Sequence, residues 1–197
     1  MYVDAQNKNT PLDLMGVKNV VVKNITAYNA NFGGIRLDAC TDCKLIENRV
    51  YNIRNVFGDG ICVNRSKNIS VIGNTIHDIT RIGIVADTDL TGAYCENITV
   101  AYNTIYNAHS ASGGELNGGI WFENTYGGVI HGNLIKDTNS VGNNKGRGIV
   151  VTALIKDGKD YPFFITDNTL IDTGWAIATG SSDKNGAKLF VDNNSIH

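Results

Sequence analysis

One short block recurs along this chain, and it limits the fold more than any other feature. KLIENRVYN places Asn48, ISVIGNTIHD Asn74, ITVAYNTIYN Asn103, GVIHGNLIKD Asn133, FFITDNTLID Asn168 and LFVDNNSIH Asn194. A weaker copy, VVVKNITAYN, places Asn24, and the gaps between these asparagines run from 24 to 35 residues. Apolar residues hold fixed offsets from each Asn. Three before it stand Val21, Leu45, Val71, Val100, Ile130, Ile165 and Val191, and two after it Val50, Ile76, Ile105, Ile135, Leu170 and Ile196. Polar residues between them give alternation of period two, so each block reads as two short strands around one Asn.

A third strand follows each block: GIRLD (34–38), GICVN (60–64), GIVAD (83–87), GIWFE (119–123) and GIVVT (148–152), with AIATG (176–180) as a degenerate copy and PLDLM (11–15) as an early one. A unit of this size cannot bury its own apolar face, so it must stack on its neighbours. The expectation is an all-β, single-domain solenoid over residues 1–197. It would have about seven coils of three parallel strands, rising ~4.8 Å per coil into a rod roughly 34 Å long.

In that stack the asparagines form a ladder of seven rungs. Asn tolerates a left-handed turn, and its amide can bond the same amide one coil away. The alternative is a row of ligand-binding amides, but a buried amide needs partners and a stack supplies them on both sides. Cys40 and Cys43 make a lone C-x-x-C, which could serve redox chemistry or half a metal site. With Cys62 and Cys95 they read instead as small buried thiols.

The N-x-[IV]…G-I-x-[VL] repeat resembles the right-handed parallel β-helix proteins of the pectate-lyase superfamily, from about residue 11 to 197. The resemblance implies a right-handed single-stranded β-helix. It does not imply one activity, because that superfamily holds polysaccharide lyases, glycoside hydrolases, uronan epimerases, phage tailspikes and metal-chaperone-like periplasmic proteins. No Asp-Pro-His motif of the uronan epimerases is present, and neither is the paired Asp-Asp with Arg-x-Lys of the polygalacturonases.

In G-I-x-V-x the Ile and Val point inward and the alternate residues outward. One outward column reads Asp13, Arg36, Cys62, Val85, Trp121, Val150, Ala178; the next reads Met15, Asp38, Asn64, Asp87, Glu123, Thr152, Gly180. By resemblance, this is the face on which β-helix carbohydrate enzymes carry their cleft. Asp38, Asp87 and Glu123 are the candidate acids and bases, Asp87 and Glu123 falling on adjacent coils. Trp121 would stack a sugar ring, with Asn64 and Arg36 as further substrate contacts. The same oxygens suit Ca²⁺, so a Ca²⁺ requirement stays open, and no metal-ligand set is assigned. A solubilising role for these charges is the alternative.

Long insertions fall before the third strand (107–118, 137–148) and after it (87–97, 152–162), around the coils that carry Asp87, Trp121 and Glu123. Insertions on one side of a solenoid often mark its binding face. They bring His109 as a candidate base, with Glu115 nearby, and Lys145 and Arg147 as candidate uronate contacts. Asp59, in FGDGI, either reaches the cleft edge or shapes a turn. His77 and His131 sit inside ladder blocks and read as structural.

Net charge of −2 with 18% charged residues argues against a nucleic-acid module, which would carry a basic stripe. No run of 18 apolar residues indicates a membrane span. The expected function is that of a carbohydrate-active β-helix, a lyase, hydrolase or epimerase acting on an extracellular polysaccharide. The alternative is a non-catalytic shaft, adhesin or glycan-binding module. The expected location is extracellular, at the cell surface or in the periplasm. The ends carry no capping helix. A fragment of a longer β-helix protein, or oligomerisation through the uncapped ends, is therefore expected.

Overall fold

A computed structural model describes residues 1–55, 57–87, 93–108, 118–138, 146–153, 161–181 and 188–197. All paired strands are parallel, and they wind through three sheets in repeating order. Sheet A holds the strands just after the ladder, such as Arg49–Ile53, Thr75–Ile79 and Thr104–Ala108. Sheet B holds the G-I-x-V strands, including Gly33–Asp38, Asp59–Asn64, Ile82–Asp87, Arg147–Ala153 and Trp175–Ser181. Sheet C holds the strands before the ladder, such as Lys67–Ile72, Glu96–Ala101 and Phe163–Thr166. One strand, Gly118–His131, runs unbroken from sheet B into sheet C, with Asn124 at φ 50° inside it. Among the described residues no helix is long and apolar enough to cross a membrane.

The inward residues stack as the alternation requires. Ile35, Ile61, Ile84, Ile120 and Ile149 of sheet B are fully buried, and so are Val50, Ile76, Ile105, Ile135 and Leu170 of sheet A. The repeated glycine of G-I-x-V exists because sheets A and B meet closely beside it. A Cβ on Gly83 would lie 2.5 Å from Ile105 Cγ2 and 2.7 Å from the Gly119 carbonyl oxygen of the next coil. Gly60, Gly119 and Gly148 face the same collision. The column ends in Ala176, in the last strand of sheet B, and the Gly148 Cβ position lies 2.6 Å from its carbonyl oxygen.

The ladder stands at the corner between sheets C and A. Asn74 Nδ2 donates to Asn103 Oδ1 (2.9 Å) and to the Leu45 carbonyl (3.0 Å), and Asn74 N donates to the same Asn103 oxygen (2.8 Å). Asn48, Asn103, Asn133 and Asn168 repeat this pattern. Every amide in the interior of the row is thereby saturated in a site that excludes water.

Two details differ from the expectation. The ladder has six rungs, Asn48 to Asn194, and the solenoid has about six turns instead of seven. In the first copy Ile25 occupies the rung position, its N–H donating to Asn48 Oδ1 at 3.1 Å. Val22 and Ala27 then pair with Leu45 and Val50, one residue later than the sequence alignment placed them. The second difference concerns the left-handed residue, which is the one before the rung. Glu47, Gly73, Tyr102, Gly132, Asp167 and Asn193 have φ between 52° and 66°, and Asn24 belongs to this set at 56°. The asparagine amide is used for bonding along the axis, and its neighbour makes the turn.

Candidate functional site

The outer face of sheet B has the columns that alternation predicts, up to a point. Asp13, Arg36, Cys62, Val85, Trp121, Val150 and Ala178 are in register along seven strands. Met15, Asp38, Asn64 and Asp87 are likewise in register. Glu123 is not part of that row. The ladder between strands 82–87 and 118–131 ends at Ala86 with Phe122, and the next pairing shifts between Phe122 and Thr125. Glu123 precedes left-handed Asn124 just as Met15, Asp38 and Asn64 precede left-handed Gly16, Ala39 and Arg65, so the turn toward sheet C is common to these coils and the difference lies in the pairing alone.

The carboxylates have unlike surroundings. Asp38 is only 1% exposed. Arg65 grips it from the next coil through Nε to Oδ1 (2.6 Å) and Nη2 to Oδ2 (2.7 Å), and Arg36 Nη2 adds a bond to Oδ2 (2.6 Å). Arg36 also reaches Asp13 at 3.3 Å. Charge-assisted, bidentate contacts of this kind fix a carboxylate in place. They commit Asp38 and Arg36 to an ion network across three coils, and they occupy both Asp38 oxygens. Asp87 and Glu123 are half-buried, as is Asn64.

Asp59 heads its strand in sheet B and is buried. It accepts a bond from the Ile82 N–H (3.2 Å) and pairs with Arg81 Nη1 (2.9 Å). Burial, with a smaller contribution from Asp87, pushes its pKa up to about 7 against the opposing pulls of Arg81 and the Ile82 N–H. Burial also raises Cys62 well above the ordinary thiol value and Cys95 to about 11. All four cysteines are free, buried thiols, and burial, which raises Cys40 as well, leaves Cys40, Cys62 and Cys95 poor in thiolate.

Farther along the same face lies an aromatic and cationic cluster. Trp121 and Trp175 both stand over the Arg147 guanidinium, whose carbon is 5.3 Å from one ring and 5.4 Å from the other. Arg147 and Trp175 are paired in register at the starts of adjacent strands. The three side chains border an open cleft of about 320 Å³, floored by Val150 and Ala178 and edged by Thr152 and Thr179. Beneath it Cys62, Ile82, Val85, Trp121 and Val150 form an apolar cluster outside the solenoid core. Trp121 is 9% exposed, whereas Trp175 is 60% exposed. The indole face open to a ligand is therefore that of Trp175.

The structure brings together Trp121 and Arg147, and separately Arg36 and Asp38. His109, Lys145 and Glu115 lie outside the described residues. Sequence reading missed Trp175 and Arg65. Trp175 stands one residue before AIATG, where Arg147 stands one before GIVVT, and extending the strand template by that position would have found it. His77 and His131 are held in contacts: His77 stacks between Tyr51 and Tyr106, and His131 bonds Thr166 Oγ1 (2.9 Å) and Tyr102 Oη (3.0 Å). Among the described residues no group of three or more His, Cys, Asp or Glu side chains is placed to hold a metal ion.

A mutant of the periplasmic alginate epimerase AlgG superposes with a TM-score of 0.63 at 17% identity, covering 96% of this chain and 49% of the epimerase. The DFA-IIIase of Arthrobacter chlorophenolicus A6, without its lid, superposes with a TM-score of 0.59 at 13% identity, covering 96% of this chain and 54% of that enzyme. The chain thus spans about half the length of the structures it matches. At these identities the likeness is one of fold. No curated protein matches the sequence. Residues 12–196 match the family described as the right-handed β-helix region. That match covers nearly all of the coils described above, and the chain belongs to the right-handed β-helix family.

Proposed function

We propose that this β-helix is carbohydrate-active and takes an acidic polysaccharide along the outer face of sheet B. The observation that carries the proposal is the Trp121–Arg147–Trp175 stack beside an open cleft. A pyranose ring presents an apolar face to an exposed indole. A guanidinium is the side chain best shaped to meet a carboxylate, so a uronate unit on Trp175 would place its charge near Arg147. Thr152 and Thr179 supply hydroxyls at the edge of the same cleft. That the superposed proteins include an alginate epimerase supports this reading only as analogy. An extracellular, cell-surface or periplasmic location goes with such a substrate.

A second reading makes the chain an enzyme on that polymer, a lyase, hydrolase or epimerase, with Asp87 and Glu123 as acid and base. It is favoured by their partial exposure on the cleft-bearing sheet, in contrast to the sealed Asp38. The test is titration with hexagalacturonate and hexaguluronate followed by tryptophan fluorescence, alongside assays of reducing ends and of unsaturated-uronate absorbance. Binding that survives Trp175→Ala and Arg147→Ala overturns the platform. Turnover that survives both Asp87→Asn and Glu123→Gln overturns the catalytic assignment.

A further inference from the structure

A second concave site lies on another face, where sheet C begins. At the entry to each of the first five sheet C strands one residue is left-handed: Asn19, Asp42, Asn68, Asn97 and Gly127, with φ between 54° and 62°. Their side chains form a surface ladder of their own. Asn68 Nδ2 donates to Asp42 Oδ1 (2.9 Å), and Asn97 Nδ2 donates to Asn68 Oδ1 (2.9 Å). At Gly127 the ladder stops, because glycine has no amide with which to continue it. The Asn97 side-chain oxygen is left without the bond that Asn68 receives.

The interrupted rung opens a cleft of about 310 Å³. Tyr126, Tyr161 and Phe164 wall it, and Glu96 and Asn97 border it. Tyr126 and Tyr161 pack on each other, centroids 5.5 Å apart at 52°, and together form one side of the cleft. Glu96 is tied to Lys67 at 2.9 Å through one of its two oxygens. The volume is at the small end of ligand pockets, and it fits a sugar ring.

We infer that this cleft is a subsite for a neutral pyranose unit of an oligosaccharide, bound by stacking on Tyr161 and Phe164 and by hydroxyl donation to Glu96 and Asn97. The chemistry of the border selects the ligand. Glu96 and the Asn97 oxygen are acceptors, and sugar hydroxyls are donors. A uronate here would set its carboxylate against Glu96 with no arginine on the lining, the reverse of the sheet B face. The inference goes beyond the proposed function and does not depend on it.

The test is calorimetric titration of the intact chain with cellohexaose, xylohexaose, mannohexaose and maltohexaose, on wild type and on three variants. Gly127→Asn restores the missing rung with a residue that this position carries in earlier coils. Its Cβ would come 3.2 Å from Tyr161 Cβ, and its amide would fill the cleft. Tyr161→Ala removes a wall, and Trp175→Ala alters only the sheet B platform. At least one neutral hexasaccharide is expected to bind wild type and to lose tenfold or more in affinity in both Gly127→Asn and Tyr161→Ala. Trp175→Ala should leave it unchanged. Failure of all four sugars to bind wild type overturns the inference, as does binding retained in folded Gly127→Asn or lost in Trp175→Ala. Hexagalacturonate titrated in parallel reports the sheet B face separately through tryptophan fluorescence.

Discussion

Asn103 Oδ1 accepts two bonds from Asn74, one from its side-chain Nδ2 at 2.9 Å and one from its backbone N at 2.8 Å. Both donors are buried. Asn103→Ala therefore strands a backbone N–H and a side-chain amide together. It should cost ~2–6 kcal/mol, since each of the two unsatisfied buried groups carries ~1–3 kcal/mol. Asn194→Ala, at the exposed end of the row, should cost less than half as much. Urea denaturation of both variants checks this, and equal costs would show that the ladder is not a cooperative buried element.

The repeat glycines should divide by location. Gly83→Ala drives a methyl into Ile105 and the Gly119 carbonyl and should destabilise by ~1–3 kcal/mol, as overpacking does. Gly180→Ala meets nothing within 4 Å and should stay within ~0.5 kcal/mol of wild type. Thermal melts of the pair are the measurement. A neutral Gly83→Ala would contradict the close approach of sheets A and B.

The two indoles should separate binding from stability. Trp175 is largely exposed, so Trp175→Ala should leave the melting temperature nearly unchanged while weakening uronate binding by ~10-fold, or ~1.4 kcal/mol. Trp121 is packed into the outer apolar cluster, and Trp121→Ala should also destabilise by ~3 kcal/mol. If Trp175→Ala binds as wild type does, the sugar does not stack there.

Asp59 should make stability fall with pH in a defined window. Its folded pKa is raised to about 7, above the ~3.9 of an unfolded aspartate. Between those values the native state holds a proton that the unfolded state has lost. The contribution is complete below ~3.9 and disappears as pH rises through about 7, with a slope of at most ~1.4 kcal/mol per pH unit. Denaturation of wild type and Asp59→Asn from pH 4 to pH 8 tests this. The variant should lose the slope, and parallel profiles would place the proton elsewhere.

The sequence by itself determined the solenoid, its three sheets, the facing of their columns and the position of the ladder. Those features follow from local alternation repeated at a fixed offset, and stacking identical units leaves them one arrangement. It also placed Trp121 and Asp87 on one outer face, because register in a β-helix is inherited from coil to coil. Tertiary structure decided what periodicity does not encode. It put Ile25 at the rung position in place of Asn24, since across coils it is Val22, not Val21, that pairs with Leu45. It ended the registered pairing at Ala86 with Phe122, one residue short of Asp87 and Glu123, a break that local alternation does not encode. It sealed Asp38 beneath Arg36 and Arg65 and set Arg147 between two indoles, since long side chains settle against neighbours from other coils. A column in the sequence gives the direction in which a side chain leaves the backbone, and its environment is set by residues some 25 positions away.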